Sequence, residues 1–310
     1  MAQQASSPDS SKLDRTSKEN RWYYKDLTNH LPAVSRRLLE EYSQIPGEDV
    51  DSHVYKMRDI LWDHAPYPCI GEFKFLTLNL PLHPKYPAML KLLTPTPSNP
   101  SPKFLDIGCC VGQELRALAH FGEVPSDNLY GTDINGSFLS TSYGLFKDKT
   151  SFEGTLVPAN IFSPGLLDVG GPFETWERSF TVIHAGLFLH LFNLQQQTEV
   201  CKTVIKLLSC QSGSLFLGEM VGCRGGGERG EGKDVKFWKQ GEEREQFLHD
   251  EESFKAMWDE VAEMTSTIGM WKTQSKFTPR EKEAEGEGSR GCAFFVGEGI
   301  GWLTFSVERT

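Results

Sequence analysis

Asp106, Gly108, Cys110 and Gly112 stand two residues apart, and Asp133 follows at the end of the next apolar run. Glycines at that spacing let the backbone approach a ligand with no Cβ in the way. A carboxylate roughly 20 residues beyond such a turn typically accepts hydrogen bonds from ribose hydroxyls. The pair predicts an adenosine-containing cofactor. A dinucleotide site would use G-x-G-x-x-G, and its third glycine is absent here, because Gln113 follows Gly112. Further along, His184 and Glu219 end two later apolar runs, where ligands bind at the carboxyl edge of an open α/β sheet, and His190 follows His184 by six residues. Each could act as a base or orient an acceptor. His190 could equally be a core histidine, and Glu219 a loop cap.

The elements that must position these residues follow from periodicity. Residues 103–107 read as a strand, and 112–121 as a helix with Leu115, Leu118 and Ala119 on one face. Strands are predicted at 128–132, 154–157, 179–184 and 214–218, with helices over 137–146, 194–208 and 251–264. This alternation predicts a doubly wound, Rossmann-like α/β fold. Two last strands, 269–277 and 300–307, are separated only by a charged loop, which predicts an antiparallel pair at the margin of the sheet. Upstream, helices are expected at 35–42, 50–64 and 86–93, whereas Pro66 and Pro68 argue against a regular helix between them. The proline-punctuated stretch 94–102 marks a boundary. The chain thus divides into a disordered tail (1–20), a helical cap on the substrate side (21–102) and a cofactor-binding domain (103–310). A glycine-rich, charged insertion at 222–245 is expected to be exposed and mobile. Tyr67, Phe73 and Phe75, with Trp22 and Tyr23, could line an apolar pocket, and Trp238 of the insertion could belong to a lid.

Composition narrows the partners. The formal charge is −10 and the basic residues are scattered, which argues against a nucleic-acid partner held by its phosphates. The seven cysteines include no C-x-x-C pair, so neither a zinc site nor a disulfide framework is expected. The first 20 residues are polar and no run approaches the length of a membrane span, so the expectation is a soluble, cytoplasmic protein without an integral membrane segment. A homodimer is an open possibility.

The Asp-x-Gly-x-Cys-x-Gly run from Asp106 resembles the first motif of class I S-adenosylmethionine methyltransferases, with Cys110 in place of the usual middle glycine. A small thiol fits there if its φ is negative. The resemblance covers about 103–309. It implies a seven-stranded, mostly parallel sheet with an antiparallel last strand, and S-adenosyl-L-methionine as cofactor. It further implies that Asp106 accepts from the cofactor amino group, Asp133 from the ribose and Asn160 from the adenine amine, with Ile134 and Ile161 beside them. The stretches Tyr67-Pro-Cys-Ile-Gly-Glu-Phe-Lys-Phe-Leu76 and Val182-Ile-His-Ala-Gly-Leu-Phe-Leu-His190 are similar to the methyltransferases of fungal meroterpenoid pathways. That likeness implies methylation of the carboxyl group of a hydrophobic, prenylated polyketide-derived acid. Alternatives left open are methylation of a phenolic hydroxyl, an inactive cofactor-binding scaffold, and a dehydrogenase weakened by the missing glycine. No metal is expected.

Overall fold

The computed structural model describes residues 14, 16–224, 232–239, 242–280 and 298–310, with side chains throughout except at 235–239 and 242–244. The chain enters through short helices. Helix α1 (Ala33–Arg37) widens into a π-helical turn, Leu38–Tyr42, and α2 (Val50–His64) buries Val54, Met57, Leu61 and Trp62 along one face. Contrary to the expectation from Pro66 and Pro68, a one-turn helix α3 (Pro68–Gly71) forms between them and the next element. Pro68 is its first residue, where the missing N–H costs nothing and the fixed φ suits a helix start. Helix α4 (Tyr86–Leu92) follows. Residues 16–20 are not free tail: the Trp62 indole donates to the Thr16 carbonyl at 3.0 Å, and Lys18 pairs with Asp59 at 3.0 Å.

The sheet alternates with helices as the periodicity predicts: β1 (Lys103–Ile107), α5 (Gln113–Phe121), β2 (Leu129–Asp133), α6 (Gly136–Phe146), β3 (Thr155–Pro158), β4 (Phe180–Gly186), α7 (Leu194–Leu207) and β5 (Leu215–Cys223). Then come a two-stranded hairpin of β6 (Lys233–Lys239) and β7 (Glu242–Leu248), α8 (Glu251–Met264), β8 (Trp271–Pro279) and β9 (Ile300–Arg309). The main sheet has the order β3-β2-β1-β4-β5-β9-β8. Neighbours from β3 to β5 are parallel, and β9 runs antiparallel to both β5 and β8. Burial follows position. Strand β5 is buried along its whole length, as a strand covered on both faces should be, whereas the outermost β8 alternates between half-buried and exposed as far as the buried Phe277. Strand β5 also runs past Gly218, so Glu219 lies within it, and part of the 222–245 stretch expected as a loop is β6 paired with β7. The expected lid residue Trp238 is in β6, and its side chain is outside the described residues.

Two apolar layers flank the sheet. One packs α7 and α8 against β4, β5 and β9 through Val200, Val204, Trp258, Phe216 and Phe305. The other joins the N-terminal helices to α5 and α6 through Trp62, Phe73, Ala117, Phe138 and Phe146. Among the described residues no helix is long and apolar enough to cross a membrane.

Candidate active site

The loop after β1 is held by the end of β2. The amides of Gly108 and Cys109 both donate to the Thr132 carbonyl, at 2.8 and 3.0 Å. The Cys110 amide donates to Asp133 Oδ2 at 3.0 Å, and the Asn135 amide to Asp133 Oδ1 at 2.8 Å. Three consecutive N–H groups thereby face one strand end. This needs left-handed backbone, and Gly108 has φ +73° and Gly112 φ +64°. Cys110 has φ +52°, which corrects the expectation of a negative φ there. A side chain in that region costs about 1–2 kcal/mol, so the thiol is carried at some strain. Gly108 could not carry one: a Cβ would lie 2.4 Å from the Phe188 ring.

Asp133 is half-buried at the carboxyl end of β2, and burial raises its pKa against the opposing effect of its two amide donors. Its oxygens have lone pairs left for further donors. Ile134 beside it is 66 % exposed, an apolar face on the rim of the turn. Asn160 is exposed just past β3, with its side-chain oxygen accepting the Phe162 amide at 3.1 Å in a local turn, and Ile161 packs into the core. Phe162, Phe192 and Phe188 form an edge-to-face run, with centroids 4.9 and 5.0 Å apart, that leads back to Gly108. Sequence reading missed these rings, since only the fold brings the residues after β3 and β4 together beside the turn after β1.

Behind the turn lies a buried polar set. Asp106 and His184 sit opposite each other in β1 and β4, and His184 Nδ1–H donates to Asp106 Oδ1 at 2.8 Å. Asp106 therefore has one oxygen committed to a protein partner rather than free for a cofactor amino group. Burial alone would lower the His184 pKa, but the Asp106 carboxylate, with Glu114 and Glu219 further off, outweighs it and raises it. Its Nε2 lies 3.0 Å from where a Cβ on Gly186 would stand. Glu219 is 8 % exposed, in register with Gly186 at the end of β4. His190, by contrast, is buried in a short 3-10 turn and accepts the Val221 amide at 3.4 Å, and burial pushes its pKa down to about 3. It is a neutral core histidine. Phe73 and Phe75 are also buried, at 0 % and 2 %, with Trp22 and Tyr23, so the pocket lining expected of them is not seen. Tyr67 stays half-exposed, edge-on to Phe138.

Residues 22–76 match the family model described as the meroterpenoid methyltransferase N-terminal domain. Over 253 residues, 81 % of the chain and 78 % of the relative, the sequence is 40 % identical to O-methyltransferase phiE of a fungal species. That identity over that length decides the matter. The chain belongs to the fungal meroterpenoid-pathway methyltransferases. It is also 34 % identical to methyltransferase trt5 of Aspergillus terreus over 78 % of the chain and 81 % of that protein. It is 39 % identical to the asnovolin E/chermesin D methyltransferase nvfJ of Aspergillus novofumigatus over 61 % and 65 %. This methyltransferase is an S-adenosylmethionine-dependent enzyme of fungal secondary metabolism. The residues present suit that cofactor: a turn whose Gly108 and Gly112 bring no Cβ, a carboxylate with lone pairs to spare, and an uncovered apolar side chain at Ile134.

Proposed function

We propose that the chain transfers the methyl group to oxygen, esterifying the carboxylate of a hydrophobic acid of the meroterpenoid type. The observation that carries this reading is His184. The group usually expected to serve as base has its Nδ1 tied to Asp106 and its pKa raised, so it favours the imidazolium and presents Nε2–H as a donor. A carboxylate acceptor, with a free pKa near 4, is ionised at neutral pH and needs no base. It needs a donor to orient it in line with the methyl and an apolar surround that leaves it poorly hydrated. S-adenosylmethionine supplies an activated methyl on a neutral leaving group. Asp133 and Asn160 would hold its ribose and adenine, with Ile134 and Ile161 against the base and Gly108 to Gly112 beneath the amino-acid end. Asp106 would reach the amino group through its second oxygen. Glu219 and Tyr67 would border the acceptor. The relatives named as O-methyltransferases support oxygen as the acceptor atom. We place the activity in the cytoplasm, where the six described free cysteines suit a reducing compartment.

The test is chemical. Incubation with S-adenosylmethionine bearing a labelled methyl and a panel of apolar acids should give a product from which mild alkali releases labelled methanol. A label that survives alkali would show an ether and favour a phenolic acceptor instead.

A further inference from the structure

The apolar part of an acceptor needs an apolar surface beside the cofactor turn. Trp22, Tyr23, Phe73 and Phe75 do not provide it, since all four are buried in the layer that joins the N-terminal helices to α5 and α6. The loops after β3 and β4 do. The Phe188 ring rests on Gly108, where an added Cβ would meet it at 2.4 Å. Phe192 stands edge-on to Phe188 at 5.0 Å, and Phe162 edge-on to Phe192 at 4.9 Å. Phe188 and Phe192 are half-buried, and Phe162 is exposed, as are Leu191 and Leu194 on either side of Phe192 in the chain. Apolar side chains gathered in the open like this mark a binding surface. The loop that carries them is also held in place. Leu187, just before Phe188, has left-handed backbone, φ +52°, and its N–H donates to the Glu219 carbonyl at 2.7 Å. A bulky residue takes that conformation only where its surroundings impose it, and such positions gather at functional sites. The Phe192 carbonyl accepts two donors, the Phe247 amide at 3.0 Å and Nε2 of the fully buried Gln197 at 2.9 Å. The same Gln197 nitrogen donates to the Phe247 carbonyl at 2.8 Å. The loop is thus pinned to β5 at one end and to α7 and β7 at the other.

We propose that Phe162, Phe188 and Phe192 determine which acceptors this enzyme takes: the isoprenoid part of the acceptor lies along their rings, from the cofactor turn at Gly108 to the exposed Phe162. This rests on the reading of the acceptor as a hydrophobic acid. None of the three side chains can donate or accept a conventional hydrogen bond, so the wall selects by apolar area and shape. Three rings in series offer more apolar length than a nucleobase fills, and they suit a branched hydrocarbon chain. Buried apolar area is what separates acids that differ only in chain length. Because the loop is pinned before a ligand arrives, little ordering has to be met on binding. Through Phe247 and Gln197 the β6–β7 hairpin sets where the wall stands.

The experiment is titration calorimetry on protein saturated with S-adenosylhomocysteine, using 4-hydroxybenzoic acids that carry one, two or three isoprene units at the 3-position. The unaltered protein should bind about fivefold or more tightly with each added unit. In Phe192→Ala and in Phe162→Ala the gain should fall below about twofold per unit. Phe162 is exposed, so its variant keeps the test open should Phe192→Ala not fold. Unaltered protein that binds the three acids alike, or binds none of them, overturns the proposal. So does a variant that keeps the full gain per unit. A variant that loses affinity for S-adenosylhomocysteine while keeping that gain would assign the rings to the cofactor, and overturns it as well. Methylation of the same acids is read separately. An enzyme that binds them in this order yet forms no alkali-labile ester would lose the functional reading and keep this one.

Discussion

Asp133 joins two loops with one carboxylate, accepting Cys110 through one oxygen and Asn135 through the other. Replacing it with Ala removes the proposed ribose acceptor and loosens the Cys110 amide together. Titration calorimetry with S-adenosylhomocysteine should show affinity falling at least 100-fold while circular dichroism is unchanged; unaltered affinity would take Asp133 out of the site. Cys110→Gly should leave that affinity within about twofold. Relief of left-handed strain, about 1–2 kcal/mol, is offset by the roughly 0.5–1 kcal/mol that a more flexible unfolded chain costs, so the urea midpoint should rise slightly or hold. The glycine turn and Asp133 were legible in the sequence because they depend on local spacing and on one strand-to-strand step. The partner of Asp106 was not, since His184 is 78 residues away and meets it only through the β1–β4 register. Cys110 was misjudged because residue type was taken as a guide to φ where the turn imposes its own.

At the scale of elements, α5 is tied down by a buried charge. The Arg116 guanidinium is fully buried, donates to Asp148 at 2.8 and 3.3 Å, and lies over the Phe152 ring at 4.0 Å. Tyr42 of the π-helical turn donates to the same carboxylate at 2.9 Å. One ion pair thus links the cofactor helix, the loop after α6 and the N-terminal helices. Removing one partner from such a pair typically costs about 3–5 kcal/mol, whereas replacing both with apolar residues costs far less. Asp148→Ala should therefore lower the melting temperature sharply, and Arg116→Met with Asp148→Leu should recover much of the loss. Equal losses in both would show that packing, not the unpaired charge, sets the cost. Strand and helix placement was read well where apolar periods were strong, as in α2, α7 and α8. It failed at α3, where the proline that should forbid a helix starts one, and at β6–β7, where glycine and charge hid a hairpin.

For the whole molecule, the buried set gives stability a direction with pH. Glu114 has an ordinary value of 4.5 and is pushed up to about 7, and His184 is raised as well. In both cases the folded state holds a proton more tightly than the unfolded chain, so their combined contribution is largest on the acid side and falls as pH rises. For Glu114 the fall lies between about pH 4.5 and 7 and amounts to roughly 3 kcal/mol; for His184 it begins near 6.5 and ends above it. Urea midpoints from pH 5 to 8 should decline in the unaltered protein and decline less in Glu114→Gln, which cannot ionise. A steeper decline in the variant would contradict this.

The place of β9 bears on how the protein is made. It pairs with β5 on one side and β8 on the other, so the latest strand in sequence sits inside the sheet. During synthesis the strands from β1 to β5 can assemble as they emerge, because each finds its neighbour already present. Strand β8 cannot. It emerges before β9, the strand it pairs with among the described residues, and until residues 300–309 leave the ribosome, β5 keeps an open edge. Such an edge invites pairing with another chain. The nascent enzyme is therefore most exposed to aggregation in the interval between the synthesis of β5 and that of β9, and a factor that shields β5 over that interval would raise yield without touching the finished fold.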